Sequence, residues 1–423
     1  YSNNFMKKKL KILLSAYACE PNKGSEPEVG WKWATTLCSL GHEVHVVTKS
    51  NNKQNIEQYL KENNIENLNF VYFDFPDWIL NILKSGSKKN MLLNKKPSIP
   101  YLYYIFWHIG IYFATKSIVK KIKFDFVHHV TFVSIRFPNL LCLHKIPFIF
   151  GPISGGEKVP YQLRKNFSLS FKIKELFRDL SNYYIKISPL INLTLHKSDK
   201  IFVTSLETKK IIPKRYHHKT KIMLGIGFEK FPNIDNSVIR DQDLFNIVFA
   251  GNFIEWKGIS IVLKTFRELK KKNSKFFLTI IGSGPQESNL KAQAKKYKIN
   301  ESIKWLGRVK REDLFKIFSK SDLLLFPSLR DSGGFVVLEA MSHGLPVSTL
   351  NLGGPGQMVN NECGIQIEVG NKTENEIVLE LSSRINNLFN NKDELLLKRN
   401  KSTERVKEFN WEKMVHLIYD NQK

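Results

Sequence analysis

Short apolar runs alternate with amphipathic stretches along most of this chain. "KILLSAYA", near the start, is nearly continuous in apolar residues, as a strand covered on both faces requires. A glycine-containing loop follows. Then Trp31, Trp33, Leu37 and Leu40 recur at helical spacing, with Gly41 placed to end the helix. "HEVHVVTK", "FDFVHHVTF", "PFIFGPIS" and "KIFVTS" each read as a strand. The pattern restarts with "NIVFAGNF" and a helix near Ile259 to Lys270, followed by "FFLTIIGSG", "IKWLGRV", "DLLLFPS" and "LPVST". Repeated β–α units of this kind predict an α/β protein with two doubly wound parallel sheets. Between "KIMLGIG" and "NIVFAG", the stretch "FEKFPNIDNSVIRDQDLF" is polar and unpatterned, as linkers are. The domain boundary is expected there, with residues 1–226 in a first domain and 227–408 in a second. The stretch 409–423, "FNWEKMVHLIYDNQK", reads as an amphipathic helix with Phe409, Trp411, Met414 and Leu417 on one side.

"IPYLYYIFWHIGIYFAT" (Ile99 to Thr115) is at the short limit for crossing a bilayer. It is aromatic rather than leucine-rich and carries His108 in its middle, which favours a buried or interfacial helix. Lys7 to Lys9 ahead of an apolar run imitate a secretion signal, but Lys11 interrupts the run and no small-residue cleavage site follows. A first strand explains it better. Cys19, Cys38, Cys142 and Cys363 are scattered and form no CxxC pair, which argues against a disulfide framework or zinc site and for a reducing cytosol.

Charge narrows the partners. With 65 Lys+Arg against 39 Asp+Glu, the net charge of +26 calls for nucleic acid, acidic lipid headgroups or phosphorylated substrates. No signature of the common RNA-binding modules is present, and the basic residues are not gathered into one tail. Nucleic acid is therefore set aside.

Ligands in open α/β sheets bind beyond the carboxyl ends of the strands, and four loops of the second domain stand at such ends. "GNFIEWKG" brings Gly251, Asn252 and Lys257, and "GSGP" brings Gly282 and Gly284. "GRVKRED" brings Arg308, and "SLRDSGGF" brings Asp331, Ser332, Gly333 and Gly334. Adjacent glycines let backbone N–H groups approach a ligand, and the helix that follows aims its positive end at the same place. A diphosphate suits that end, with Lys257 adding a full positive charge. Glu339 can accept hydrogen bonds from a ribose diol, and Asp331 from a sugar hydroxyl. A plainer account exists for each: Asp331 or Ser332 as the helix N-cap, Gly344 as its C-terminal glycine, Pro346 as a stop, and Gly282 and Gly284 as a mere turn. Four loops converging on one sheet edge favour the ligand.

These residues also carry a family resemblance. "DSGGFVVLEAMSHGLPV" resembles the E-x7-E signature of the family 4 retaining glycosyltransferases of GT-B fold, with Asp331 in place of the first Glu. "GNFIEWKG" is similar to that family's G-R-L-x3-K-G loop, "GSGP" to its nucleotide loop, and "LNLGGPG" to the stretch after the signature helix. "GSEPEVGWKWATTLCSLGHEVHVVT" resembles its N-terminal glycine-rich loop and first helix. The resemblance implies two Rossmann-like domains facing a central cleft, with a nucleotide-diphosphate sugar bound mainly on the second domain and the acceptor on the first. It implies transfer with retention, without metal or cofactor. Lys257 would neutralise the departing diphosphate. Gly333 and Gly334 would donate backbone hydrogen bonds, Asp331 would hold the donor sugar and Glu339 the ribose. Gly251, Ser332, Phe335 and Val336 would complete the donor site, and Gly24 and Ser25 would close over it from the first domain. The last helix would cross back onto the first domain. The carboxylates bind and orient; neither is required as a nucleophile.

Two departures stand out. The family's phosphate-binding Arg falls at Asn252, leaving Arg308 or Arg330 to compensate. Its D-x-x-H-x-H pattern is here "DFVHHVT", with Val130 at the second histidine's place and His128 and His129 before it. His129 is the substitute candidate for lining the donor site. These departures motivate a second reading, a catalytically weakened sugar-nucleotide-binding scaffold. Lysines interleaved with Tyr, Phe and Trp in "KSGSKKNMLLNKKPSIPYLYYIFWHIG" and "YQLRKNFSLSFKIKELFRDLSNYYIKI" suit the surface of an anionic membrane. The expectation is a peripheral enzyme at the cytoplasmic face of the inner membrane, glycosylating a saccharide or lipid-linked saccharide for the cell envelope.

Overall fold

The computed structural model describes residues 9–76, 99–132, 134–229 and 244–420. The chain enters at β1 (Lys11–Ser15), buried from its second residue onward, and passes into α1 (Ser25–Ser39). It continues through β2 (Glu43–Lys49), α2 (Lys53–Glu62), β3 (Leu68–Phe73), α3 (Ile99–Lys121), β4 (Phe126–His129) and β5 (Phe148–Ile153). Then come α4 (Leu169–Ile187), α5 (Pro189–Lys197), β6 (Lys200–Val203), α6 (Leu206–Ile211) and β7 (Thr220–Ile222). These strands form one parallel sheet in the order β3-β2-β1-β4-β5-β6-β7.

The second sheet repeats the plan. β8 (Phe245–Ala250), α7 (Ile259–Lys272), β9 (Phe276–Ile281), α8 (Glu287–Lys296) and β10 (Ile303–Gly307) build one half. α9 (Arg311–Lys320), β11 (Leu323–Phe326), α10 (Phe335–Ser342), β12 (Val347–Leu350), α11 (Gly353–Met358) and β13 (Gly364–Ile367) build the other. Its parallel order is β10-β9-β8-β11-β12-β13. The order reverses between β8 and β11, so the loops leaving those two strands diverge and open a crevice between them. Two Rossmann-like domains with a central cleft make this a GT-B fold.

α12 (Glu374–Asn390) and α13 (Lys392–Val406) close the second domain, and α14 (Trp411–Tyr419) ends the described chain. Its inward residues are Trp411, Met414, Val415, Ile418 and Tyr419, at helical spacing. The expected stripe is corrected in two places: Leu417 is 40% exposed, and Phe409 lies in the short turn before the helix. Trp411 packs edge-on against Trp33 of α1, with ring centroids 5.6 Å apart. The Tyr419 hydroxyl donates to His128 Nδ1 of β4 at 2.6 Å, so α14 is fastened to the first sheet. The outgoing and returning chains touch, since Phe228 N–H donates to the Phe409 carbonyl at 2.7 Å. Gly227 leaves room there: a Cβ on it would stand 2.7 Å from the Trp411 ring.

The aromatic helix read at Ile99 to Thr115 extends to Lys121 as α3, burying Tyr104, Trp107 and Ile111 and exposing Phe106, Ile109 and Phe113. No helix among the described residues is long and apolar enough to cross a membrane.

Candidate active site

A cavity of about 610 Å³ opens between the domains, walled by Val130, Pro152 and Thr204 on one side and the loops after β8, β9, β10 and β11 on the other. The β8 loop makes one tight turn, Glu255–Lys257, and ends at Gly258 in the left-handed region (φ +72°). Only glycine fits, because a Cβ there would lie 2.1 Å from the Pro327 carbonyl oxygen. Trp256's carbonyl accepts from Leu329 N–H at 2.8 Å, which ties this loop to the β11 loop. Lys257 thereby reaches Asp331, and the two form an ion pair inside the cavity.

α10 begins after Gly334, which has φ +109°. Asp331 and Ser332 do not cap it; no side chain does. The plainer account of a side-chain N-cap therefore does not hold; Val337 N–H turns back to the Gly334 carbonyl at 2.8 Å, and the N–H groups of Phe335 and Val336, both on the cavity wall, have no side-chain cap. Gly333 faces open space. The loop is cradled from behind by α11: Gly354 N–H donates to the Asp331 carbonyl at 2.7 Å. A Cβ on Gly353 would come within 2.0 Å of that same oxygen, and one on Gly354 within 2.3 Å of the Gly333 oxygen. These glycines of "LNLGGPG" shape the ligand loop without entering the cavity.

Glu339 lies just over one turn into α10, buried, with its carboxylate 2.8 Å from Arg311 of α9. Burial pushes this carboxyl up from its ordinary value, and Arg311 pulls it back. The cavity therefore presents Lys257 and Asp331 near one end of the bare helix terminus and Glu339 farther along the helix. Phe335 and Val336 line the same wall.

The remaining candidates divide. Gly251, Asn252, Gly282 and Arg308 are on the wall, as is Ser332. Gly284 is not among the wall residues; a Cβ on it would meet the Phe253 carbonyl at 2.6 Å, so it serves packing. Arg308 Nε donates to Ser283 Oγ at 2.8 Å. Arg330 turns away from the cavity to pair with Glu175 of α4, its guanidinium 4.5 Å over the Trp256 ring. Burial and the nearby Arg178 bring its pKa down to about 10, against the pull of Glu175. Of the two arginines considered as replacements for Asn252, Arg308 alone lines the cavity.

His129 is buried inside the first domain, not on the wall, with Nδ1 3.0 Å from Ser15 Oγ and its ring 4.8 Å from that of His108. Burial and the neighbouring imidazoles hold it well below the usual histidine range. Val130, one residue on, faces the cavity instead. His128 points to α14. Gly24 (φ +67°) precedes α1 and lines a neighbouring cavity with Arg311, Phe335 and His343, while Ser25 opens α1. Glu26 is the residue that sequence reasoning missed: it lines the main cavity, accepts from Phe132 N–H at 3.3 Å, and has its pKa raised by burial. Its only signal was an acidic side chain in a first helical turn, which the helix dipole already explains.

Among the described residues no cluster of three or more His, Cys, Asp or Glu is arranged to hold a metal ion. Residues 230–408 match the family model described as glycosyl transferases group 1. The second domain therefore belongs to that group. An uncharacterised glycosyltransferase of Methanocaldococcus jannaschii is 28% identical over 299 residues, 67% of this chain and 69% of its own length. The fold is shared along the whole chain. The lipopolysaccharide outer core galactosyltransferase WaaB, in its apo form, matches with a TM-score of 0.63 at 13% identity, over 97% of this chain and 99% of that one. Anabaena HepE in complex with UDP and glucose matches with a TM-score of 0.57 at 14% identity, over 97% and 100%. The family match covers the cradle of Lys257, Asp331, Gly333, Gly334 and Glu339.

Proposed function

We propose that this glycosyltransferase moves a hexosyl-type sugar, with retention, from a UDP- or GDP-sugar to a hydroxyl of a saccharide or lipid-linked saccharide acceptor in cell-envelope polysaccharide synthesis. The observation that carries the reading is the bare N-terminus of α10, set between Lys257 with Asp331 and the buried Glu339. Lys257 and the helix terminus meet the diphosphate, Asp331 a hydroxyl of the donor sugar, and Glu339 the ribose diol. In the step itself the acceptor oxygen bonds to the anomeric carbon on the face from which the diphosphate departs. The bond from that carbon to the phosphate oxygen breaks, and the acceptor proton passes to the leaving phosphate. Lys257 and the helix dipole stabilise the charge that develops there.

Two structural neighbours, a lipopolysaccharide galactosyltransferase and a protein holding UDP and glucose, support an envelope saccharide product and a uridine nucleotide. The four free, buried cysteines and the supply of nucleotide sugars support a cytosolic working place. Asn252 and the inward His129 favour the weakened-scaffold reading. One experiment separates the two: melting temperature against a panel of nucleotide sugars, followed by release of free nucleotide on incubation with acceptor-bearing envelope extract. A stabilising sugar nucleotide that is turned over supports the enzyme. Stabilisation without turnover leaves the scaffold, and no stabilisation by any of them sinks both.

A further inference from the structure

α4 carries two apolar faces. Phe171, Glu175, Asn182 and Ile185 are its buried face. On the opposite side Leu169, Ile173, Leu176, Leu180, Tyr184 and Ile187 follow one another at steps of three or four residues, each 46–75% exposed. A helix that only packs on a sheet has polar residues on that outer side. Single exposed apolar residues need no explanation, but a continuous stripe along a helix of 19 residues does.

The charges around the stripe say what covers it. Lys158, Lys165, Lys172, Lys174, Lys186 and Lys197 are exposed, and none has an ion pair among the described residues. The two acidic residues of the same segment are engaged inward, Glu175 by Arg330 and Asp179 by Arg164. Every charge offered to the surroundings on this face is therefore positive or tied to an internal partner. A second copy meeting this face through its own α4 would set these lysines against one another with no acid to pair them. An apolar stripe edged by lysines, on a helix that does not cross a membrane, fits the headgroup boundary of an acidic bilayer.

The stripe also borders the reaction site. A second cavity, of about 860 Å³, runs between α4 and the other domain, lined by Phe171, Lys174 and Phe177 of α4 and by Trp256 and Arg330. Asp331 and Ser332 line both this cavity and the donor cavity. Phe177, 66% exposed, lies at the edge shared by the stripe and the second cavity.

We propose that the outer face of α4 docks on an acidic phospholipid surface, and that the acceptor is a lipid-anchored saccharide that enters from this surface through the second cavity toward Asp331. The proposal rests on the glycosyl-transfer reading and names its acceptor class. The test is vesicle flotation of the full chain with phosphatidylcholine alone and with phosphatidylcholine mixed with phosphatidylglycerol, alongside Leu176→Glu/Leu180→Glu and Lys172→Glu/Lys186→Glu. Donor binding is read in parallel as the melting shift with the stabilising nucleotide sugar, so loss of docking and loss of the donor reading are told apart. The native chain is expected to float with the acidic vesicles alone and less so at high salt. The leucine variant should lose partitioning by on the order of a hundredfold and the lysine variant by about tenfold or more, both with unchanged donor shifts. Native protein that stays behind with acidic vesicles overturns the proposal, as does a leucine variant that floats equally well. So does a native dimer that the leucine variant dissociates while neither form floats, since the stripe is then an interface between copies.

Discussion

His128 joins the last helix to the first sheet, and its protonation should loosen that joint. The imidazole is fully buried: its Nε2–H donates to the Gly151 carbonyl at 2.6 Å, and its Nδ1 accepts from the Tyr419 hydroxyl at 2.6 Å. A carbonyl can only accept, so the neutral ring with its proton on Nε2 satisfies both partners. A second proton on Nδ1 would face a hydroxyl already donating to it, in a fully buried site. Burial accordingly lowers the pKa from 6.5 to about 4, with the Gly151 hydrogen bond opposing. The unfolded chain takes up this proton near the ordinary value and the folded chain takes it up later, so between the two the unfolded state binds more protons. The contribution is complete above about pH 6.5 and is lost as the pH falls toward 4. Two and a half pH units at about 1.4 kcal/mol each make about 3 to 4 kcal/mol. His128→Gln supplies the comparison, because an amide can donate and accept but does not titrate. Urea unfolding at a series of pH values, followed by tryptophan fluorescence, reads the site directly, since the Trp33 ring lies 5.2 Å from the imidazole. The native profile should fall more steeply than the variant's between pH 7 and pH 4, by about 3 to 4 kcal/mol in all. Other titrating groups are common to both proteins and cancel in the difference. Parallel profiles would refute the assignment of a neutral, doubly bonded His128.

Three further outcomes concern the candidate site. Lys257→Ala should lower turnover about a hundredfold, the scale of losing one charge-stabilising group at a leaving diphosphate, while circular dichroism stays native. Near-normal turnover would remove Lys257 from the reaction. Glu339→Gln should weaken nucleotide binding in calorimetry by about tenfold or more, as it replaces charge-assisted hydrogen bonds to the ribose with neutral ones; a 2′,3′-dideoxynucleotide should bind both proteins equally, and a preserved difference would argue against ribose contact. Gly354→Ala puts a Cβ 2.3 Å from the Gly333 oxygen, so the loop must shift. Donor binding should be lost for a stability cost of about 1–3 kcal/mol, and retained binding would show that the cradle does not fix the loop.

The loops that line the cleft were legible because close backbone approach leaves glycine as a local mark. Gly258, Gly282, Gly334 and Gly353 all have positive φ and stand where the loops turn. Long-range geometry left no such mark. Nothing local tells that Arg330 turns to Glu175 of another domain, or that Arg311 reaches Glu339. His129 and Val130 differ by one position in a strand, and that position decides which of them lines the cavity. β3 and β13 are edge strands and neither was read from the sequence; β13 has only four residues, whereas LNFVYF of β3 is mostly apolar and was passed over. On α4 an inner and an outer apolar face overlay each other in sequence, and only the burial of one separates them.

Two ion pairs keep the charged groups of the cleft from standing alone. Lys257 and Asp331 keep side-chain exposures of only 18% and 16%, so each left alone would bear a sizeable desolvation cost. Paired, they hold the lysine beside the helix terminus rather than out in water. Glu339 is buried more deeply and leans on Arg311 in the same way. A nucleotide sugar that brings a diphosphate to Lys257 and a diol to Glu339 therefore exchanges partners instead of stripping water from bare charges. The exchange frees Asp331 for a hydroxyl of the donor sugar, on the side that faces the second cavity. On the proposed reading, binding of the donor and exposure of Asp331 toward the second cavity are one event. It follows that a lone nucleoside diphosphate should release Asp331 from Lys257 but leave its carboxylate without the sugar hydroxyl it is placed to meet.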